Sequence, residues 1–334
     1  MTRPTSMRAM RIAAPGHHLE LEVLPVRPLR EHEILIKVSV CGMCRTDLHL
    51  INGELPNAYY PVTPGHEIVG RIVEVGAAVA RRLPGERVGV PWLAQSCGEC
   101  EECQRGLENL CEFARFTGCT VDGGYAEYAI ADSRFCLTIP ERYTDAEAAP
   151  LLYADLIGYR TYRAADRGVR LGFYNFGTAT HLLCQIAKTQ HRRVFAFTRA
   201  GDTKAQQFAR ELGAVWAGAS DEAPPEPLDS AIIFAPVGSL VPAALAAVRK
   251  GGRVVCAGIH MSDIPTFPYS LLWGERSVCS VANLTRADGR EFMRLAADIE
   301  LRPAIQTFAL ERAGDAINAL AHGELRGAAV LTNP

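Results

Sequence analysis

Four cysteines stand within one stretch of fifteen residues of this chain, at Cys97, Cys100, Cys103 and Cys111. Glutamates lie between them, so burying all four as unrelated thiols would be difficult. Disulfide scaffolds are typical of small secreted chains, and this chain has 334 residues. Four thiolates can instead close a tetrahedron around zinc and leave no open position. The spacing therefore predicts a structural zinc site.

The length and composition indicate a globular protein of more than one domain. At roughly 150 residues per domain, the chain is long enough for two domains, and 48% hydrophobic residues suffice for buried cores. The 35 basic and 37 acidic residues give a net charge of −2, so no basic field exists to bind nucleic acid or anionic lipid. The N-terminal stretch lacks the apolar core of a signal peptide. The longest uncharged run, 231–248, is interrupted by Pro236 and Pro242. We therefore expect a cytoplasmic protein with neither nucleic-acid nor membrane partners.

The pattern of predicted elements changes along the chain. Residues 33–40 and 68–75 alternate or carry β-branched side chains, which is typical of short strands in a β-rich domain. From residue 170 onward strands and helices alternate, with strands at 171–175, 194–198, 231–235, 253–257 and 277–281 and helices at 178–190, 204–212, 240–249 and 291–297. This alternation predicts an α/β fold with a parallel sheet and helices on both faces. A last strand is predicted at 328–331.

A second candidate metal site is separate from the four-cysteine stretch. Cys44 precedes His66 by 22 positions, and Glu67 follows directly. Cysteine and histidine are both zinc ligands, and a site with three protein ligands keeps one position open for water or substrate. A single cysteine and a single histidine at this separation are also compatible with two unrelated structural residues.

Several motifs of the chain follow the order of a known family. From the N-terminus they are VCGMCRTDLH, PGHEIVG, the four-cysteine stretch, DGGYAEY, EAAPLL, a βαβ unit and RKGGRVVCAG. In these motifs the chain resembles the zinc-dependent medium-chain alcohol dehydrogenases over essentially its whole length, and most closely a bacterial branch with the segments IHMSDIPTFPY and SVANLTR. The resemblance implies a β-rich GroES-like catalytic domain at 1–157, a Rossmann-type doubly wound nucleotide-binding domain at 158–292, and a return to the catalytic domain at 293–334. It also implies a small-molecule alcohol or carbonyl substrate and a homodimer or homotetramer.

The resemblance also assigns metal ligands to individual residues. Cys44 matches the first catalytic zinc ligand, His66 the second, and Glu67 the acidic residue beside the metal. The family's third ligand is a cysteine that follows EAAPLL, and here that position is Tyr153. A phenol, with a reference pKa of about 10, is a poorer ligand than a thiol at neutral pH. Either Glu67 or Asp155 would then complete the zinc site, or the site would bind zinc weakly or not at all. Without zinc, Tyr153 would be an aromatic residue of the pocket or a proton donor.

The same resemblance places the proton and hydride chemistry. Thr46 matches the hydroxyl that holds the substrate oxygen and begins a proton relay through the cofactor ribose to His49. Arg45 matches a residue that contacts the cofactor pyrophosphate, and Trp92 one that lines the substrate pocket. Zinc stabilises negative charge on a substrate oxygen, and a histidine that titrates near neutrality suits the solvent end of a relay.

The predicted cofactor loop departs from the usual glycine pattern. A dinucleotide fingerprint needs glycines for the tight turn, for the approach of the pyrophosphate and for the packing of helix on strand. The segment that begins at Asn175 keeps only the middle glycine, Gly177, which Thr178 and Ala179 follow. Asn175 can adopt the left-handed conformation that a glycine would supply, whereas Thr180 is bulkier at the packing position. The location between a strand and a helix still favours cofactor binding here.

The ends of the predicted strands suggest which cofactor binds. The second strand of the parallel sheet ends in Thr198 and Arg199, where an NAD site usually has an acidic residue. Arg199 suits a 2′-phosphate, so we expect NADP(H) in preference to NAD(H). Ligands of open parallel sheets bind at the carboxyl ends of the strands. The residues expected near the nicotinamide are therefore Ala235, Pro236, Val237, Gly258 and Ile259.

Three functional hypotheses follow from these observations. The first is a zinc-assisted alcohol dehydrogenase or aldehyde reductase linked to NADP(H), which the retained Cys44, Thr46 and His66 favour. The second is a zinc-independent reductase of a conjugated C=C bond or an imine, with Tyr153 as the proton donor. The third is a non-redox or binding protein on the same scaffold, which the altered glycine loop favours. The first hypothesis accounts for most of the retained residues.

Overall fold

The structure, a computed structural model, describes residues 3–165, 168–176, 178–258, 260–325 and 327–333, with the side chains at 154, 155, 178 and 179 left out. The chain divides into two compact units. The first comprises Met1–Ala154 and Leu284–Pro334, and the second comprises Asp155–Asn283. Within the described ranges, no helix combines the length and apolar character that crossing a membrane requires.

The first unit is built mainly from antiparallel strands, which are numbered in chain order. Its strands are β1 (Ser6–Arg11), β2 (Glu20–Pro25), β3 (Glu33–Met43), β4 (Glu67–Val75), β5 (Arg87–Val90), β6 (Leu93–Gln95), β7 (Arg115–Phe116), β8 (Tyr128–Asp132), β9 (Leu137–Thr138), β16 (Ile305–Ala309) and β17 (Ala328–Thr332). Among the described residues, the main sheet has the order β16-β17-β3-β4-β5-β9, and β8 also pairs with β3. The C-terminal strand β17 thus lies beside β3, with Leu331 opposite Cys41.

Short helices connect these strands and complete the first unit. They are α1 (Arg45–Ile51), α2 (Glu101–Gln104), α3 (Asp145–Ala148), α8 (Arg286–Asp298) and α9 (Ala313–His322). Single 3₁₀ turns lie at Glu108–Leu110, Pro150–Leu152 and Leu310–Arg312. The core forms on the period-two face of β3, where Ile34, Ile36 and Val38 are fully buried. Helix α8 packs on this unit, because the Tyr143 hydroxyl donates hydrogen bonds to the Ala296 and Ile299 carbonyls.

The second unit is a parallel sheet with connecting helices. Its strands are β10 (Arg170–Tyr174), β11 (Arg193–Thr198), β12 (Trp216–Ala219), β13 (Leu228–Ile233), β14 (Val248–Cys256) and β15 (Ser277–Ser280), and its helices are α4 (Ala154–Ala164), α5 (Thr178–Thr189), α6 (Thr203–Glu211) and α7 (Leu240–Ala247). Among the described residues the sheet order is β12-β11-β10-β13-β14-β15. Counted from β10, this is the order 3-2-1-4-5-6 of a Rossmann-type doubly wound sheet. The predicted α/β fold class is confirmed.

One strand of this sheet has a sequence with only a weak strand signal, from its single tryptophan. Trp216–Ala219 reads WAGA, which lacks the β-branched residues that favour strands. It is nevertheless paired in parallel with β11, with Trp216 opposite Phe195. The tertiary pairing therefore decides the conformation of this segment.

Candidate functional site

The four cysteines of the long loop converge as a set of metal ligands. Their four Sγ atoms lie within 4.8 Å of one another, with 3.9 Å between Cys97 and Cys103 and 3.5 Å between Cys97 and Cys111. Sulfurs at about 2.3 Å from a tetrahedral zinc would lie about 3.8 Å apart. Backbone N–H groups of Glu99 and Cys100 lower the pKa of Cys97 to about 6. The donor set and its spacing fit a closed zinc site.

Cys44 is placed by the start of helix α1. It is the N-cap residue, and its Sγ accepts a hydrogen bond from the Thr46 backbone N–H at 3.3 Å. In return the Asp47 Oδ2 accepts the Cys44 backbone N–H at 2.9 Å, which completes a capping box. Burial, together with the nearby carboxylates of Asp47 and Glu67, raises the pKa of the Cys44 thiol well above its ordinary value. A thiolate at this position therefore needs a cation as a partner.

His66 lies directly beside Cys44. Its Nε2 is 3.2 Å from the Cys44 Sγ, and its Nδ1 is 3.5 Å from the Asp47 Oδ1. The side chains of His66 and Asp47 are almost completely buried. Two ligands of a tetrahedral zinc, at about 2.3 Å and 2.0–2.1 Å from the metal, would lie about 3.5 Å apart. A carboxylate at Nδ1 orients the ring and leaves Nε2 for a metal. Cys44 and His66 thus fit as two ligands of one ion.

Asp47 also belongs to this group, although it was not predicted from the sequence as a site residue. The ligand atoms of Cys44, Asp47 and His66 all lie within 4.8 Å of one another. A local signal was present, because Asp47 stands at the N3 position three residues after the cysteine cap. One of its oxygens faces the Cys44 N–H and the other faces His66. This arrangement suits a residue that orients the two ligands.

The structure places the other predicted ligands differently. Glu67 is buried and lies opposite Gly42 in the pairing of β3 with β4, so that a side chain at Gly42 would overlap its carboxylate. The group of converging ligand atoms consists of Cys44, Asp47 and His66, without Glu67. Asp155 lies in helix α4, and its side chain is outside the described residues.

Tyr153 closes the site on the side of Thr46. It ends the turn Pro150–Leu152, and its hydroxyl lies 2.9 Å from the Thr46 Oγ1. Its ring meets the His66 ring edge-on at 4.4 Å and lies 5.8 Å from the Trp92 ring. Burial, reinforced by Cys44 and the two carboxylates, raises the pKa of the phenol well above its ordinary value. The phenol is therefore neutral and can donate a hydrogen bond.

His49 and Arg45 lie toward the surface of the same helix. His49 is in the last turn of α1, one turn beyond the buried Thr46, and 31% of its side chain is exposed. Its Nδ1 lies 2.5 Å from the Glu54 Oε2. Arg45 is exposed in the first turn. Helix α1 thus carries the buried Thr46 hydroxyl in its first turn and the partly exposed His49 imidazole in its last turn.

The predicted cofactor loop lies in the second unit, at the end of β10. Asn175 has φ = +74°, the left-handed conformation that the missing glycine would have supplied. Thr178 and Ala179 begin helix α5, and Thr180 is buried in it. Gly177 lies outside the described residues, as does Ile259 of the later loop.

The remaining predicted cofactor residues follow neighbouring strands of one parallel sheet. Thr198 is buried at the end of β11, where its hydroxyl donates to the Gly218 carbonyl and accepts from Gln206. Arg199, the next residue, is exposed. Ala235, Pro236 and Val237 follow β13, and Gly258 follows β14. All of these positions lie at the carboxyl edge of the sheet, where ligands of such sheets bind.

Comparison with known proteins identifies relatives along the whole chain. The model of the alcohol dehydrogenase GroES-like domain matches residues 30–141. A Mycobacterium tuberculosis protein, named probable alcohol dehydrogenase AdhA, is 44% identical over 307 residues, which are 90% of this chain and 88% of the relative.

Two solved structures are similar in fold and in sequence. The acetophenone reductase of Geotrichum candidum in complex with NAD has a TM-score of 0.88 and 25% identity, with 100% of this chain and 99% of that chain covered. The cobalt- and zinc-bound thermostable alcohol dehydrogenase of Pyrobaculum aerophilum has a TM-score of 0.87 and 25% identity, with 98% and 100% covered.

Proposed function

Since this chain belongs to the zinc-type medium-chain alcohol dehydrogenase family of oxidoreductases, we propose that it transfers hydride between NADP(H) and a small alcohol or carbonyl compound with the help of zinc. The observation that carries the proposal is the pair formed by Cys44 and His66, whose ligand atoms lie 3.2 Å apart. Thr46, whose hydroxyl is buried, lies beside this pair, because its backbone N–H donates to the Cys44 Sγ at the N-cap of α1.

In this proposal each site residue of the first unit has a specific role. Cys44 and His66 hold zinc, and Asp47 orients both of them. Zinc supplies Lewis-acid stabilisation of negative charge on the substrate oxygen. The Thr46 hydroxyl holds that oxygen and passes its proton outward. His49, at the exposed end of the helix, receives the proton and exchanges it with solvent.

The preference for NADP(H) rests on residues of the second unit. Asn175, whose backbone is in the left-handed conformation, supplies the turn at the pyrophosphate. Arg199 is exposed directly after β11 and pairs with the 2′-phosphate. The Thr198 hydroxyl is hydrogen-bonded to the Gly218 carbonyl and to the Gln206 amide. Thr198 therefore brings no negative charge that would repel the 2′-phosphate.

The test is the zinc content of protein purified without chelator, measured together with oxidation of simple alcohols by NADP⁺. We expect about two zincs per chain, about one in Cys44→Ala with loss of activity, and about one in Cys103→Ser, which removes only the structural site. A wild-type content of about one, unchanged in Cys44→Ala, would refute zinc assistance.

A second candidate function is favoured by the hydrogen bond between Tyr153 and Thr46. In a zinc-independent reductase of a conjugated C=C bond or an imine, the neutral phenol would deliver the proton and Thr46 would orient it. In that case Tyr153→Phe should lower the reduction rate by at least about 10²-fold, while the protein holds about one zinc per chain. A chain that binds neither NADPH nor NADH in a fluorescence titration would instead support the non-redox hypothesis.

A further inference from the structure

The end of helix α1 brings an acidic residue to His49. Ile51 is the last helical residue and Asn52 the C-cap. Gly53 follows with φ = +74°, and its N–H donates to the Leu50 carbonyl. The Glu54 N–H donates to the His49 carbonyl at 2.9 Å. These two bonds are those of a Schellman motif, which brings the residue after the glycine back over the last helical turn.

Such motifs frequently include an apolar contact between the two residues that meet, whereas here these residues are Glu54 and His49. The Glu54 Oε2 lies 2.5 Å from the His49 Nδ1. The other carboxylate oxygen, Oε1, accepts a hydrogen bond from the Asn52 side-chain amide at 3.0 Å. The backbone motif and the Asn52 amide therefore position the carboxylate beside His49.

The contact determines which ring nitrogen of His49 can take up a proton. A carboxylate only accepts hydrogen bonds, so the neutral ring facing it carries its hydrogen on Nδ1. The lone pair is then on Nε2, the nitrogen that Glu54 does not contact. Fixing a tautomer in this way is what a carboxylate does for the histidine base of a catalytic triad.

We propose that Glu54 is a positioning residue of the proton relay, holding His49 in the Nδ1–H tautomer so that Nε2 accepts the proton that leaves the substrate alcohol. The proton released from the alcohol hydroxyl ends on Nε2, and the hydride goes to the nicotinamide. The proposal rests on the proposed function for the relay itself. The tautomer is a property of the protein alone.

The first experiment is nitrogen NMR of the full-length protein with ¹⁵N-labelled histidine at pH 9, where the reference pKa of histidine, about 6.5, makes neutral rings the norm. The His49 signals are assigned with His49→Gln. We expect the Nδ1–H tautomer in the wild type and in Glu54→Gln, whose amide oxygen still accepts, and a mixture in Glu54→Ala. An Nε2–H tautomer in the wild type, or no change in Glu54→Ala, would overturn the proposal.

The second experiment measures alcohol oxidation by the same variants. Glu54→Ala should lose about twofold to fivefold in turnover, the effect of an exposed charged pair. Glu54→Gln, whose amide oxygen still accepts from Nδ1, should keep most of the activity, and Glu141→Gln, at an exposed glutamate elsewhere, should keep all of it. Equal losses in Glu54→Ala and Glu54→Gln would contradict the positioning role. If the wild type oxidises no alcohol, the proposed function fails while the NMR result still decides the tautomer.

Discussion

The buried hydroxyl groups of Tyr153 and Thr46 lie 2.9 Å apart, although 107 positions separate the two residues in sequence. The family resemblance implies that the phenol stands at the position of the third zinc ligand, and its ring stands edge-on to His66. In the proposed site Cys44 and His66 are the two ligands whose geometry fits, so a metal there would be held by fewer thiolates than the family resemblance implies. The proposal therefore implies that the residue at position 153 sets how strongly this site retains zinc.

At this scale we expect Tyr153→Cys to strengthen the retention of zinc. A thiolate at position 153 would add the third ligand of a Cys₂His site. After dialysis against EDTA, the variant should retain about two zincs per chain and the wild type about one, as measured by elemental analysis. Tyr153→Ala is the matched control, since it opens the same space without adding a ligand. Equal zinc contents in the two variants would show that the cysteine does not bind the metal.

At the scale of elements, the carboxyl ends of β10 and β11 hold the residues proposed to select the cofactor. Asn175 takes the left-handed conformation, and Thr198 directs its hydroxyl into the sheet toward Gly218. Arg199 is consequently the exposed group at the end of β11. In this proposal the end of β10 shapes the turn at the cofactor, and the end of β11 presents a positive charge.

We expect Arg199→Ala to weaken NADPH binding about tenfold, because a hydrogen bond between charged groups contributes roughly 1.5–3 kcal/mol. The affinity for NADH should stay within about twofold of the wild type. Fluorescence titration with each cofactor measures both values, and Arg81→Ala, at an exposed arginine of the first unit, serves as the control. A similar loss for NADH and NADPH would show that Arg199 does not recognise the 2′-phosphate.

At the scale of the whole molecule, each unit has its own stabilising contacts. In the second unit, Asp229 on β13 accepts hydrogen bonds from the Arg170 backbone N–H at 2.7 Å, the Arg170 Nη2 at 3.0 Å and the Arg249 Nε at 2.6 Å. Burial alone would raise the pKa of Asp229, but the two arginines outweigh it and hold that pKa well below its usual range. The carboxylate therefore connects three neighbouring strands, β10, β13 and β14. The predicted homodimer or homotetramer and the cytoplasmic location stay predictions.

Asp229→Asn should lower the free energy of unfolding of the second unit by about 1–3 kcal/mol at pH 7. Because the folded-state pKa is depressed, the stabilisation is complete above the unfolded-state pKa of about 3.9, begins to decline below it, and is lost as the pH falls through the folded-state pKa. The difference between variant and wild type should therefore shrink between pH 7 and pH 3.5. Urea unfolding followed by circular dichroism at both pH values tests this. Asp221→Asn, at an exposed aspartate, should show no difference, and a pH-independent effect of Asp229→Asn would contradict the role of its charge.

Much of the fold was predictable because its signals are local. The alternation of strands and helices after residue 170 predicted the parallel sheet, and the spacing of Cys97, Cys100 and Cys103 predicted their convergence. The strand at Trp216–Ala219 was not predicted, since alanine and glycine disfavour strands and only Trp216 favours one, and the segment is held by pairing with β11. Asp47 and Glu54 were also missed as site residues, although the helix cap and the Schellman glycine that place them are local signals.

The sequence by itself determined the chemistry that is present: the ligand types, the departure from cysteine at Tyr153 and the residues at the strand ends. A side chain's chemical character is a property of the residue and needs no fold to be known. Only the tertiary structure decided which of these groups meet. Cys44 approaches His66 because of the way β3, α1 and β4 pack together. Tyr153 approaches Thr46 although 107 positions separate the two residues in sequence. Such contacts arise from the burial of the whole core, to which all of these elements contribute together.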